Sequence, residues 1–189
     1  MTPRRPLTRL AAILAPALLL TAALTVGAGG ALGGGALHAD ASIIDNSGAT
    51  IGWARFVEDA TGVVHVNVHV KGLTPGLHGI HIHAIGTCTI GTATPFSSAG
   101  SHHNPLGRMH GLLSAAGPHA GDLPNLVVNE DGVGHLDGTT TEATLSEGTT
   151  SIFDADGSAI VLHALWDDGV TNPTGNSGGR VACGVITAD

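Results

Sequence analysis

The segment Gly76–His83 places three histidines within six positions and is followed five residues later by a cysteine. If this segment is a β-strand, His81 and His83 share one face while Ile80 and Ile82 point to the other, because side chains alternate along a strand. Two imidazoles roughly 6 to 7 Å apart on one strand face can bind a single metal ion. A polar outer face of a half-buried strand would give the same pattern, so this segment alone leaves both interpretations open.

Further candidate donors lie in a region without strand alternation, from residue 86 to 122. A loop of that length in a small domain calls for a functional or tethering reason. Sets of imidazoles suit copper and zinc, and an added carboxylate is compatible with a tetrahedral zinc site. No serine sits in a strand-to-helix elbow and no helix follows any candidate serine, so a nucleophilic triad is poorly supported. The donors are His102, His103, His110, His119 and Asp122 in this loop, and His163 after a later apolar run.

The elements that would position these donors are short runs rich in valine, isoleucine and threonine, and no segment has sustained helical periodicity. Two long loops separate some of the runs, at 86–122 and 167–179. This pattern predicts an all-β fold, an eight-stranded antiparallel Greek-key barrel or sandwich. The predicted strands are 41–44, 51–58, 63–70, 76–83, 123–129, 134–145, 159–163 and 180–187.

The third predicted strand, 63–70, alternates valines with His65, Asn67 and His69. His65 and His69 would lie roughly 13 Å apart on an extended strand. They therefore cannot bind one ion together, and a solvated strand face is the favoured interpretation.

The first 39 residues are typical of an export segment rather than of folded structure. Three arginines precede an apolar run, Leu10–Val26, and a Gly/Ala-rich tract, which is the order of a secretory signal peptide. A transmembrane anchor is the alternative. We therefore divide the chain into 1–39, an export segment, and 40–189, the functional domain, with a secreted or periplasmic location.

The details of export stay open. Cleavage could follow the small residues Ala39–Ala41 or Gly34–Ala36. The Arg4-Arg5 pair allows the twin-arginine route as well as the general secretory route. No cysteine precedes Cys88, which excludes a lipid-modified N-terminus.

Charge and cysteine content limit the partners of the exported domain. From Ala39 onward, four Lys and Arg residues face fifteen acids, a formal charge of −11. This charge disfavours nucleic acid and anionic membranes as partners. The two cysteines, Cys88 and Cys183, most simply pair in an exported domain, with two free buried thiols as the alternative. A disulfide between them would join residues 95 positions apart. In the chain-entropy model, closing a loop of this length stabilises the folded protein by about 4–5 kcal/mol.

Six motifs together carry a resemblance that extends from about Ala39 to the C-terminus. They are GLHGIHIH, AGSHHNP, MHG, HAGDLPN, VLH followed by two aspartates, and GNSGGRVACGVI. In both the spacing and the type of its residues the chain resembles the copper/zinc superoxide dismutase family. The resemblance implies bound copper and zinc, and superoxide as a small-molecule substrate.

The resemblance also implies a role for each matching residue. His102 would bridge the two metals as an imidazolate, with both ring nitrogens bound. The implied copper ligands are His81, His83, His102 and His163, and the implied zinc ligands are His102, His110, His119 and Asp122.

Other matching positions surround these ligands. Asp167 resembles the carboxylate that joins the free ring nitrogens of His81 and His110, and His78 resembles a support for the strand turn. The other implied roles are Arg180 as the cation beside the open copper position, Thr174 on the opposite channel wall, and Cys88–Cys183 as the family disulfide.

The implied reaction is ping-pong dismutation of superoxide to O2 and H2O2, with a proton delivered from His102. Three features depart from the family pattern. His103 replaces an aromatic residue, the loop before Arg180 contains no lysine or glutamate, and Trp166 has no counterpart.

An exported copper/zinc-binding or buffering protein on the same scaffold is the alternative function. Arg180 and Thr174 favour the enzyme, because metal storage needs neither of them. A purely structural Greek-key module would leave the matched ligands unexplained. A homodimer is compatible with the sequence, which determines neither the oligomeric state nor any association with the cell wall.

Overall fold

The computed structural model describes Met1 and residues 36–189. The predicted signal peptide therefore lies outside the described residues except at its ends. Among the described residues the chain forms ten strands and a short 3-10 turn at Ser97–Ala99. The strands are β1 (Leu37–Asp45), β2 (Thr50–Glu58), β3 (Val64–Lys71), β4 (Gly76–His78), β5 (Ile80–His83), β6 (Leu126–Val128), β7 (Val133–Thr140), β8 (Ala159–His163), β9 (Arg180–Val185) and β10 (Thr187–Ala188).

The strands form one antiparallel sheet with the order β4-β6-β7-β3-β2-β1-β9-β8-β5, and β10 pairs with β1. The two end strands, β4 and β5, are consecutive in the chain, so the sheet curls into a nearly closed barrel. The order β4-β6-β7-β3 is a Greek-key arrangement. The predicted all-β antiparallel Greek-key class is thus confirmed.

The predicted number of strands was too low, because two predicted strands are each divided. The segment 76–83 breaks at Gly79, whose N–H donates to Leu165 O and whose carbonyl accepts from His163 N, both at 2.8 Å. A Cβ at this position would lie 2.7 Å from the Cβ of Ser177, so only glycine fits. The segment 180–187 breaks between β9 and β10, and the strand predicted for 134–145 already ends at Thr140.

The barrel core follows from the alternation of apolar residues along the strands. The four valines of β3 are at most 1% exposed, and Ile80 and Ile82 of β5 are fully buried in the same cluster. His65 and His69 lie on the opposite face of β3 and are exposed. The predicted solvated face of this strand is therefore confirmed.

The N-terminal strand bears on where the export segment is removed. Ala39 and Ala41 are buried in the barrel core, and Ala39 and Asp40 pair with β10. Cleavage after Ala41 would remove the first half of β1, whereas cleavage near Gly34–Ala36 leaves this strand whole. We therefore expect N-terminal sequencing of the exported protein to give a start at or before Leu37. A start at Asp40, the boundary expected from the sequence, or at Ser42 would contradict this expectation.

Candidate metal centre

Strand β5 lies between β8 on one edge and the long loop 84–125 on the other, and this arrangement gathers the donors. His81 and His83 of β5 are at most 1% exposed, and His163 is the last residue of the neighbouring β8. The loop is held to the free edge of β5 by backbone hydrogen bonds, from Ile82 N to Gly121 O at 2.8 Å and from His103 N to Ile82 O at 2.9 Å.

The pairing of this loop with β5 sets the loop donors opposite the strand donors. The backbone of His83 forms an isolated antiparallel β-bridge with that of His102, and the backbone of His81 forms one with that of Asp122. The donors meet in two groups that share His102. The four-imidazole group is His81, His83, His102 and His163, and the carboxylate group is His102, His110, His119 and Asp122.

In the four-imidazole group, one nitrogen of each ring is buried and has no hydrogen-bond partner. These atoms are His81 Nδ1, His83 Nε2, His102 Nε2 and His163 Nε2. The ligand atoms of this group lie within 4.8 Å of one another. Leaving buried polar atoms unpaired is costly, and a metal ion among the four would satisfy all of them.

The other ring nitrogens of this group are hydrogen-bonded, which fixes the orientation and the tautomer of each ring. His81 Nε2 lies 2.6 Å from Asp167 Oδ2, and His83 Nδ1 lies 3.0 Å from Gly100 O. His163 Nδ1 lies 3.2 Å from Gly178 O. When these nitrogens donate to oxygen, each ring keeps its lone pair on the unpartnered nitrogen that faces the group.

Burial keeps the rings of His81, His83 and His163 neutral and therefore able to bind metal. It lowers the pKa of His81 to about 4 and that of His163 to about 3. The pKa of His83 is also lowered, first by burial and then by the positive charge of Arg180. Three of the four imidazoles thus stay unprotonated at neutral pH.

The carboxylate group converges on one oxygen, Asp122 Oδ1. The Nδ1 atoms of His102 and His110 each lie 3.0 Å from it, and His119 Nδ1 lies 3.3 Å away. The Nδ1 atoms of His119 and His102 are 3.4 Å apart. Three imidazole nitrogens and one carboxylate oxygen at these separations suit a tetrahedral zinc ion. A ring nitrogen of His81 also lies within 4.8 Å of the donor atoms of His102, His110 and Asp122. The Nε2 atom of His81, however, is hydrogen-bonded to Asp167.

The carboxylate of Asp122 stays ionised although it is buried. Burial alone would raise its pKa, but hydrogen bonds from His102, His110 and the backbone N–H of Gly111 lower it well below the usual range. Burial likewise opposes protonation of His110, but hydrogen bonds with Asp122 and Asp167 raise the pKa of His110 to about 9. The negative charge needed to balance a divalent ion is therefore present.

Asp167 links the two groups through their outer nitrogens. Its Oδ2 meets His81 Nε2 at 2.6 Å, and its Oδ1 meets His110 Nε2 at 3.0 Å. Gly175 packs directly over this contact with φ +61°, and a Cβ there would lie 2.0 Å from Asp167 Oδ1. The loop 164–179 therefore needs glycine at this position to close over the carboxylate.

A cavity of about 500 Å³ opens onto the four-imidazole group, and Arg180 and Thr174 both line it. His83, His102 and His163 form its metal-facing wall. The half-buried guanidinium of Arg180 donates to the carbonyl oxygens of Phe96 and Gly100. These bonds hold a fixed positive charge beside the imidazoles.

Arg108 also lines this cavity, and the sequence analysis missed it. The side chain of Asn104 donates to the carbonyl oxygen of Arg108 and accepts from its backbone N–H, both at 2.9 Å. The Nη1 atom of Arg108 lies 2.6 Å from Glu142 Oε2. The signal was present in the sequence, since Arg108 stands two residues before His110. Its partner Glu142 is 34 positions away, so their pairing could not be foreseen.

Three other predicted positions are placed as follows. The ring of His78 is buried between Thr74 O at 2.8 Å and His163 O at 2.6 Å, and so braces the turn between β4 and β5. His103 is buried beside Thr150 O at 3.4 Å and belongs to neither metal group. Trp166 is 56% exposed on the loop 164–179.

The two cysteines form a disulfide with a Cα–Cα distance of 5.7 Å. It joins the loop 84–125 to β9, beside a small cluster in which Phe96 is fully buried. Carbonyl oxygens of this same loop hold Arg180 and His83. The disulfide thus tethers the segment that supports one wall of the cavity.

Reduction of this disulfide should strongly destabilise the metal-free protein. The bond closes a 95-residue separation, so we expect a loss of about 4–5 kcal/mol and a fall in Tm of about 10 °C. Calorimetry of metal-free protein with and without reductant measures this change. The double variant Cys88→Ser/Cys183→Ser should melt at the reduced temperature in both conditions, and equal melting of the oxidised and reduced wild type would contradict the assigned role.

Comparison with known proteins gives one consistent family. The family described as copper/zinc superoxide dismutase (SODC) matches residues 50–186. A superoxide dismutase [Cu-Zn] of Mesembryanthemum crystallinum is 42% identical over 151 residues, which cover 77% of this chain and 92% of the relative.

Two solved structures extend the comparison to the fold. A double mutant of a SOD-like protein from Bacillus subtilis is 37% identical with a TM-score of 0.72, covering 77% of this chain and 94% of the other. The Cu/Zn superoxide dismutase of Brucella abortus is 27% identical with a TM-score of 0.65, covering 79% and 99%.

Proposed function

This chain belongs to the copper/zinc superoxide dismutase family, and from this premise we propose how its own residues carry out the dismutation. The family uses copper and zinc, and the donor atoms of this chain fit both ions. The observation that carries the proposal is the set of four buried imidazole nitrogens without partners, which face one another at the end of a cavity.

We assign copper to the four-imidazole group and zinc to the carboxylate group. Four nitrogen donors without a carboxylate suit copper, and three nitrogens with one carboxylate oxygen suit zinc. His102 belongs to both groups, with its Nε2 in the first and its Nδ1 in the second. It is therefore the residue through which the two ions would be connected.

Copper held by His81, His83, His102 and His163 would supply one-electron redox chemistry, and zinc held by His102, His110, His119 and Asp122 would supply positive charge beside His102. Two superoxide ions and two protons become one O2 and one H2O2. The residues of this chain must therefore attract an anion, orient it and deliver a proton.

His102 is the residue placed to deliver that proton. His102 lines the cavity, its buried Nε2 belongs to the four-imidazole group, and its Nδ1 is held in the carboxylate group. When Nε2 is not bound to metal, it can hold a proton next to the second superoxide and donate it to the reduced product.

Arg180 orients the substrate. Two of its donors are used by Phe96 O and Gly100 O, and guanidinium has five N–H donors in a fixed fork. The remaining donors are available to an anion in the cavity. Thr174 lines the same cavity and limits its width.

Activity with defined metals tests this proposal against a metal-buffering role. Chelated protein should have no dismutase activity, zinc alone should restore none, and copper with zinc should restore turnover. Full loading with both metals without turnover would favour the buffering protein.

The ion pair between Arg108 and Glu142 yields a separate prediction. Glu142 neutralises Arg108, so Glu142→Gln should expose a second cation to the substrate and raise kcat/KM at low salt by about two- to threefold. Arg108→Gln should lower the rate. Pulse radiolysis measures both variants, and Glu130→Gln on the exposed β6–β7 turn is the matched control for net charge. Equal rates for Glu142→Gln and Glu130→Gln would exclude a steering role for Arg108.

We propose that the domain works outside the cytoplasm after removal of the N-terminal segment. The Cys88–Cys183 disulfide supports this, because such bonds persist in oxidising compartments. Within the described residues, no helix has the length and apolar composition needed to cross a membrane.

A further inference from the structure

The outer face of the barrel brings two histidines together from strands that are distant in sequence. His69 of β3 stands directly opposite His135 of β7 in the antiparallel register. Both side chains are exposed. On the other side of β3, Trp53 of β2 stands opposite His69. Its ring stacks on that of His69, with ring centroids 6.2 Å apart and ring planes at 29°.

This register meets the main requirement for a shared metal ion. Residues directly opposite in an antiparallel pair have Cβ atoms about 4.5–5.5 Å apart. Two imidazole nitrogens bound to one ion, each at about 2.0–2.1 Å, can be reached from that separation by rotation of exposed side chains. His65, on the same face of β3, stands opposite Thr139 and has no such partner in the register.

Charged side chains of both signs lie on this face: the bases are Lys71 of β3 and Arg55 of β2, which pairs with Asp40, and the nearest carboxylate is that of Asp137. Asp137 lies two residues beyond His135 on the same exposed face, and its Oδ1 accepts a hydrogen bond of 3.2 Å from Asn67. The domain from Ala39 onward has a formal charge of −11, with four bases and fifteen acids. The negative net charge of the domain raises the concentration of divalent cations around it, and paired imidazoles prefer Cu2+ and Zn2+ among them.

We propose that His69 and His135 form a third, solvent-exposed metal site, which takes Cu2+ or Zn2+ with Asp137 and water completing its ligands. The site is separate from the two buried groups, because it lies on the outer face of the sheet, away from the cavity lining. With two imidazoles and open access to water, it binds metal more weakly than the buried groups and exchanges it with solvent.

Trp53 provides a direct reporter of this site. The chain has two tryptophans, so a Trp166→Phe background leaves Trp53 as the single emitter. Protein with both buried sites filled is titrated with Cu2+ in a buffer that does not bind metal. We expect saturable quenching of Trp53 fluorescence and, by calorimetry, one further equivalent of Cu2+ per chain.

Three substitutions decide the assignment. His135→Asn leaves the Trp53–His69 stack in place and should weaken Cu2+ binding by about tenfold or more, as should His69→Asn. His65→Asn removes an equally exposed histidine from the same strand and should leave the affinity unchanged. Quenching that does not saturate, or an equal loss of affinity in His65→Asn and His135→Asn, would overturn the proposal.

Discussion

The His102→Ala variant is expected to lose high-affinity binding of both metals and to have no dismutase activity above background. Its Nε2 belongs to the four-imidazole group and its Nδ1 to the carboxylate group, so one substitution removes a ligand from each. Loss of a ligand should weaken each site by more than about 100-fold, since even the partners of ligands are worth 10- to 100-fold. Metal analysis after dialysis against a weak chelator, together with activity, measures the effect.

The matched variants show whether the loss reflects a bridge. His163→Ala should abolish activity and weaken copper binding but leave zinc bound, because His163 contacts only the four-imidazole group. His103→Asn removes the adjacent buried histidine, which belongs to neither group, and should keep both metals. If His102→Ala retains one equivalent of zinc at wild-type affinity, His102 does not bridge the ions.

The Arg180→Glu variant should reduce kcat/KM by about 100-fold or more while both metals stay bound. Arg180 lines the cavity beside three imidazoles, and a carboxylate there would repel the anionic substrate. Arg180→Lys should have an intermediate rate, because the charge remains while the fork that reaches both Phe96 O and Gly100 O is lost. Pulse radiolysis and metal analysis of each variant measure these effects.

Arg55→Glu is the control for Arg180→Glu, because it changes the net charge equally. Arg55 lies on the exposed face of β2, paired with Asp40 at 3.1 Å, and its replacement should change the rate little.

Salt adds a second test, since charges are screened over about 8–10 Å at physiological ionic strength. The wild-type rate should depend weakly on salt, because screening reduces repulsion by the many acids as well as attraction by Arg180. A steep fall of the wild-type rate with increasing salt would contradict this expectation, because it would require a positive field that guides superoxide to the cavity.

The fold class could be read from the sequence because the strands carry their own signals. The alternation of valines in 63–70 marks β3, and the Asp45–Gly48 turn joins β1 to β2. The division of 76–83 could not be read in this way, because it depends on Gly79 bonding to Leu165 and His163 across the barrel. Contacts between segments more than 80 residues apart leave no local pattern.

The metal donors were also visible in the sequence, but their selection rested on the resemblance to a family rather than on spacing. Position alone does not separate His102 from His103, and the structure does so by pairing His102 with His83 and burying His103 beside Thr150. The cross-strand pair of His69 and His135 was likewise hidden, because the register of β3 on β7 creates it.

Copper titration of zinc-loaded, copper-free protein tests whether dismutation takes place at the centre that contains His102. Superoxide decay is followed by pulse radiolysis after each addition of copper. Activity should rise linearly, reach a break at one copper per chain and then stay constant, even when the exposed histidine pair takes up more metal. Activity that is absent at one equivalent, or that continues to rise beyond it, would contradict dismutation at the centre bridged by His102.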